Sequence, residues 1–176
     1  MADKRVDEQL KQDIFAIGVK ELELWKIAVK SDKNLFDSLY RFIFSNEKRL
    51  AWRSCWIIDT ASEDNPEILN DKLPEIISAL ITTDDGSLKR HFTRILCRYT
   101  IPEDFLGATV NRCFELLGPM EAPAVRVNSM QLLFNISQDL PDLKGELISV
   151  IENLMEEGGS AGFMNRSAKL LRKLHS

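Results

Sequence analysis

Four segments of the 176-residue chain resemble one another at a nearly constant spacing, and that recurrence restricts the possible folds more than any other feature. The first begins Lys48-Arg49-Leu50-Ala51-Trp52 and runs to Trp56-Ile57-Ile58. The second begins Leu88-Lys89-Arg90-His91-Phe92 and runs to Ile95-Leu96. The third is Val125-Arg126-Val127-Asn128-Ser129, running to Leu132-Leu133; the fourth is Phe163-Met164-Asn165-Arg166-Ser167, running to Leu170-Leu171. With Trp56, Leu96, Leu133 and Leu171 set equivalent, the spacings are 40, 37 and 38 residues. A period of that size holds one pair of helices, which cannot bury its apolar face alone. Neighbouring pairs must stack to make a core.

Proline and glycine mark the joints. Asn65-Pro66, Asp85-Gly86, Ile101-Pro102, Gly118-Pro119, Leu140-Pro141 and Gly158-Gly159 separate stretches with apolar residues at i, i+3, i+4 and i+7. Leu147, Val150, Ile151, Leu154 and Met155 form one such stripe. No stretch alternates with period two long enough for a sheet. Asn65 before Pro66 has the pattern of a helix start, Pro102-Glu103-Asp104 places acids in a first turn, and Gly118 and Gly158 suit helix ends. The expected architecture is all-α, with outer (A) helices over 34–45, 66–82, 102–117 and 141–157. The inner (B) helices are expected over 47–62, 87–100, 123–138 and 160–174. One N-terminal helical segment, 7–30, precedes them, and its stripe of Leu22, Trp25, Ile27 and Val29 is expected to cover the open end of the first repeat.

The run Pro123-Ala124-Val125-Arg126-Val127-Asn128-Ser129-Met130-Gln131-Leu132-Leu133 resembles the second helix of a HEAT repeat, in which a Val-Arg pair is followed by a small residue and then a leucine. The resemblance covers residues 34–176; Lys48-Arg49 and Phe163-Met164 depart from the Val-Arg pattern, as terminal repeats do when they cap a stack. Similarity to the HEAT/armadillo family implies a right-handed α-α superhelix of four helix pairs plus an N-terminal helical cap (1–33), all in one domain spanning 1–176. It also implies that the B helices line a concave face, where repeat proteins bind partners. The architecture by itself does not specify a function.

Charge divides sharply between the two layers. Residues 86–100 carry Lys89, Arg90, Arg94 and Arg98 with no acid, and residues 160–176 carry Arg166, Lys169, Arg172 and Lys173 with no acid. The four B segments total +10 and the three A segments between them −14, within a net charge of −4. In the second unit the apolar stripe is Leu88, Phe92, Ile95, Leu96 and Tyr99, so His91, Arg94 and Arg98 are expected off it. The equivalent positions hold Asn128, Gln131 and Asn135, then Arg166, Lys169 and Lys173. These nine residues are the candidate partner-binding strip. Arg94, Arg98, Arg166 and Lys169 would make the main contacts, and the three amides would supply hydrogen bonds between the basic ends. An ordinary solvated face explains the same pattern, because exposed ion pairs contribute little.

Chemistry for catalysis is sparse. His91 and His175 are the two histidines, the glycines do not form a phosphate loop or dinucleotide fingerprint, and Asp84-Asp85-Gly86 has the pattern of a turn. The odd set Cys55, Cys97 and Cys113 lies among apolar residues; Cys97, between Arg94 and Arg98, is the one weak candidate for a reactive thiol. No catalytic residue, metal ligand or cofactor site is assigned. Met1 to Leu10 is polar and no apolar run reaches the ~20 residues of a membrane span, so a cytoplasmic location is expected. The expected function is a non-enzymatic interaction or scaffold module that binds an acidic protein or peptide. The alternative is a HEAT-like nucleic-acid-binding or alkylated-base repair protein, with Asp59 as the acid and Trp52-Arg53 as a stacking site. Net charge −4 weighs against nucleic acid, because phosphate contacts need many cations. Oligomeric state is not legible.

Overall fold

A computed structural model describes residues 2–176, with side chains from residue 7 onward. The first six side chains, part of the polar N-terminus noted above, lie outside the described residues. Among the described residues the chain forms ten α-helices, one 3-10 segment and no strand. They build two compact units, Met1–Asp71 and Lys72–Ser176.

The first unit holds α1 (Ala2–Ala16), α2 (Leu22–Ser31), α3 (Lys33–Ile43) and α4 (Lys48–Ala61). Helix α4 is its centre and packs against each of the other three. It contributes Leu50, Ala51, Cys55, Ile57 and Ile58 to a core completed by Ile14, Leu22, Val29, Leu39 and Ile43. Asp32 starts α3 by accepting from the backbone N–H groups of Asn34 and Leu35. Lys26 bridges α2 to Asp64, and that hydrogen bond raises the lysine pKa above its ordinary value.

The expected single segment 7–30 is two helices. Gly18 sits in the break, where its N–H donates to the Glu21 carboxylate at 2.9 Å. A Cβ at Gly18 would come within 2.8 Å of that oxygen. The end of α1 is closed from α4: Arg53 Nη1 donates to the carbonyls of Ile14 (3.1 Å) and Ile17 (2.7 Å), and Arg49 Nη2 to Phe15 (3.2 Å). Ile14 and Phe15 belong to the last turn of α1, whose carbonyls lack a partner four residues on within the helix, and Ile17 follows just after it. The expected apolar stripe of α2 also divides. Leu22 and Val29 are buried, whereas Ile27 is 64% exposed, because it lies on the opposite side of the helix.

The second unit holds α5 (Leu73–Thr82), α6 (Gly86–Leu96), α7 (Glu103–Glu115), α8 (Pro123–Ser137), α9 (Pro141–Glu156) and α10 (Ala161–Leu174). Helices α5 and α7 pack together, while α6, α8 and α10 pack in succession as a second layer. The pairs α5–α6, α7–α8 and α9–α10 join the layers. Thr93, Ser129 and Ser167 are fully buried in the α6–α8–α10 layer, and such small side chains let helices approach closely. Asp85 and Ser160 cap the starts of α6 and α10, so Asp84-Asp85-Gly86 is a turn that also starts a helix. Gly158, at φ 82°, ends α9 in the left-handed conformation glycine adopts without strain.

Two helix boundaries differ from expectation. Residues 66–82 do not form one α-helix: Pro66–Lys72 is 3-10, and the α-helix begins at Leu73. Pro74 has no N–H for a bond four residues back, and its ring would clash with that carbonyl, so it is tolerated only in a first turn. Helix α6 stops at Leu96 instead of running to 100; Arg98 and Tyr99 close the end with shorter-range bonds to Ile95 and Leu96.

Arg112 repeats within the second unit what Arg53 does in the first. Its Nε donates to the Leu80 carbonyl at 3.1 Å and its Nη2 to Thr83 at 2.7 Å, closing the end of α5, while Nη1 pairs with Glu115 at 2.9 Å. Arg112→Ala is expected to lower stability by about 1.5–3 kcal/mol, the loss of charge-assisted bonds to part-buried carbonyls. Glu115→Ala, which removes only the exposed ion pair, should change it by less than about 0.5 kcal/mol. Urea unfolding followed by circular dichroism checks both values.

Candidate functional site

The nine strip residues lie on α6, α8 and α10, with Arg98 just past the end of α6, and the structure treats them unequally. The three amides on α8 are engaged within the fold. Asn128 Nδ2 donates to the Arg90 carbonyl at 3.1 Å, and Asn135 Nδ2 donates to the Cys97 carbonyl at 2.8 Å. Both bonds join residues 38 positions apart, the repeat period expressed as a contact between neighbouring repeats of the second unit. Gln131 Nε2 donates to Asn135 Oδ1 at 2.7 Å and holds that amide in its donating orientation. All three side chains are half-buried.

His91 differs from expectation. It is 8% exposed instead of lying off the buried stripe. Helix α6 packs against both α5 and α8, so its buried arc is wider than one stripe and also takes in Lys89 and Thr93. Arg94 and Arg98 are half-buried. Lys89 Nζ reaches Glu121 at 2.6 Å, an ion pair with a side chain only 10% exposed on the lysine side. That pair carries one of the four positive charges of α6 and its C-terminal turn. The sequence holds no local signal for it, because the two residues lie 32 positions apart.

Arg126, the residue that carries the family pattern, is likewise structural. Its Nε donates to the Leu117 carbonyl at 2.9 Å, beyond the end of α7, and its guanidinium lies 4.3 Å from the centroid of the Phe163 ring on α10. Arg166, Lys169 and Lys173 differ from these groups. They run i, i+3, i+7 along α10, beside the buried stripe of Phe163, Ser167, Leu170 and Leu174. Arg166 is half-buried and the two lysines are exposed, and none of the three makes an ion pair with a described acid. Lys173 Nζ lies 5.7 Å from the centroid of the Phe134 ring of α8.

The residues considered for chemistry are mostly internal. Cys55 and Cys113 are fully buried, and burial pushes the Cys113 thiol up from its ordinary value. Cys97 is half-buried and its Sγ lies 3.4 Å from the Asn128 carbonyl. Asp59 is 0% exposed within α4. Trp52 and Trp56 are half-buried with ring centroids 6.1 Å apart, and the Arg53 beside Trp52 is held by the α1 carbonyls. Among the described residues no group of three or more His, Cys, Asp or Glu comes together to hold a metal ion. No described helix is long and apolar enough to cross a membrane.

This division of roles predicts a division of mutational cost. Asn135→Ala removes both the bond to the Cys97 carbonyl and the acceptor of Gln131, and should destabilise the protein by about 1–3 kcal/mol. Lys169→Ala, at an exposed position without an ion pair, should stay within about 0.5 kcal/mol of the parent. Thermal unfolding of the two variants side by side checks the contrast.

Comparison with known proteins agrees with this geometry. A family model described as a HEAT repeat domain matches residues 6–174, nearly the whole chain. No curated protein and no solved structure matches the chain. With helix pairs stacked at the repeat period, asparagines stitched across that same period and a match over almost its full length, the chain belongs to the HEAT repeat domain family.

Proposed function

We propose that the chain is a non-enzymatic interaction module that binds an acidic protein segment on the α6–α8–α10 face of its second unit. HEAT repeats generally mediate protein–protein interaction or scaffolding, and a typical member does no catalysis. The acidic character of the partner rests on one observation: Arg166, Lys169 and Lys173 form a continuous stripe of cations with no acidic partner among the described residues. Arg94 and Arg98 lie in the same layer and are half-buried. Asn128, Gln131 and Asn135 hold α8 in register between the two basic ends. A preformed surface of this kind loses little entropy on binding, so modest charge complementarity yields measurable affinity.

The nucleic-acid alternative has less support. Its acid, Asp59, is fully buried, and its basic aromatic pair is held by backbone carbonyls of α1.

The test uses fluorescently labelled oligoglutamate and duplex DNA of matched charge, with binding read by anisotropy. Oligoglutamate should bind at ~20 mM salt and release by ~300 mM, where the screening length has fallen severalfold. Arg166→Glu/Lys169→Glu should weaken that binding at least ~10-fold, about 1.4 kcal/mol, with the melting temperature unchanged. Equal binding by parent and double variant would refute the proposal, and tighter binding of duplex DNA than of oligoglutamate would favour the alternative.

A further inference from the structure

A cavity of about 510 Å³ opens in the second unit between two successive turns. One, Tyr99 to Glu103, leads from α6 into α7; the other, Asn135 to Leu140, leads from α8 into α9. Its lining has two chemistries. Ile101 and Ile136 are buried and Pro102 and Leu106 half-buried, while Leu140 stays 38% exposed. Around this apolar floor stand two exposed carboxylates, Glu103 and Asp139, neither of which makes an ion pair with a described residue. Local structure does not use them as caps either: α7 and α9 start from Pro102 and Leu140, with no side-chain capping bond.

We propose that this cleft binds the side chain of a lysine or arginine from a peptide partner. A long aliphatic stem with a cation at its tip matches the lining. The methylenes would lie along Pro102, Leu106, Ile136 and Leu140, and the charged head would sit at the mouth by Glu103 and Asp139. The volume falls within the range of pockets that enclose small ligands, roughly 300–1,000 Å³. One wall is rigid, because Asn135 is held by its bonds to Cys97 and Gln131. The site differs in sign from the α10 stripe and does not depend on the acidic-partner reading.

Blocked Gly-Arg-Gly tripeptide is titrated into the full chain and followed by backbone amide shifts, with the citrulline counterpart as an uncharged probe of equal shape. The arginine peptide should give saturable shifts confined to residues 99–106 and 135–140, and the citrulline peptide at least ~5-fold weaker binding. Asp139→Asn and Glu103→Gln, both at exposed positions and nearly isosteric, should fold normally and each weaken the arginine peptide ~3-fold or more. Arg166→Glu/Lys169→Glu should bind it like the parent, which separates this site from the acidic-partner surface. Absence of saturable shifts, equal binding of the two peptides, or undiminished binding by both carboxylate variants would overturn the proposal.

Discussion

The structure depends on closing the C-terminal ends of short helices. The ten helices are 10–16 residues long, close to the length at which an isolated helix is marginal in water, so packing must stabilise them. Packing brings helix ends against neighbours, and each end exposes carbonyls that have no partner within the helix. Arginine answers the problem in both units: Arg53 and Arg49 close α1 and Arg112 closes α5, while Arg126 reaches the Leu117 carbonyl just past α7. A long side chain with several diverging donors reaches across a helix–helix gap and fills more than one acceptor. Asparagine acts along the layer, where Asn128 and Asn135 tie α8 to the backbone of α6. The repeat is therefore held by directional bonds as well as by its apolar core.

That dependence explains which parts of the fold were legible in sequence. The B helices could be found from apolar columns 37 to 40 residues apart, because the same burial problem recurs at the same place in each pair. Six of the eight repeat helices also lie close to their expected bounds. The misses have local causes. Gly18 was a single glycine in a helical pattern, and what ends α1 there is a pair of arginines more than 30 residues away. Pro74 was visible in the sequence but stood inside an otherwise continuous periodic stretch. One-stripe geometry places His91 off the buried face, and it fails when a helix is gripped from two sides.

The candidate site was legible as a row of positions but not as a set of roles. Periodicity places Asn128, Gln131, Asn135, Arg166, Lys169 and Lys173 on corresponding faces, and it cannot tell a side chain bonded to a neighbouring helix from one facing solvent. Charge counting has the same limit. Lys89 is paired with Glu121, and Arg126 is engaged with the α7 end and the Phe163 ring. The excess positive charge of the B layer is partly structural. The cleft between the Tyr99 and Asn135 turns has no sequence signature, since its lining comes from two connections and the helix ends beside them, more than 30 residues apart in the chain.

What folding leaves unexplained is the narrower guide to function. Four acids of the A layer have a local contribution to the fold: Glu75, Glu103, Asp104 and Asp142 lie in first turns, where the helix dipole stabilises negative charge. Arg94, Arg172 and Lys173 lie in last turns, where the dipole favours cations. Arg166 and Lys169 have no such account. They sit in the interior of α10, away from either end, and neither closes a helix end or pairs with a described acid. An arginine and a lysine three residues apart on one face repel each other weakly, so folding alone gives no preference for them over neutral residues. Their cost to the fold is small, and so is their benefit, which leaves them available for the acidic-partner role proposed above.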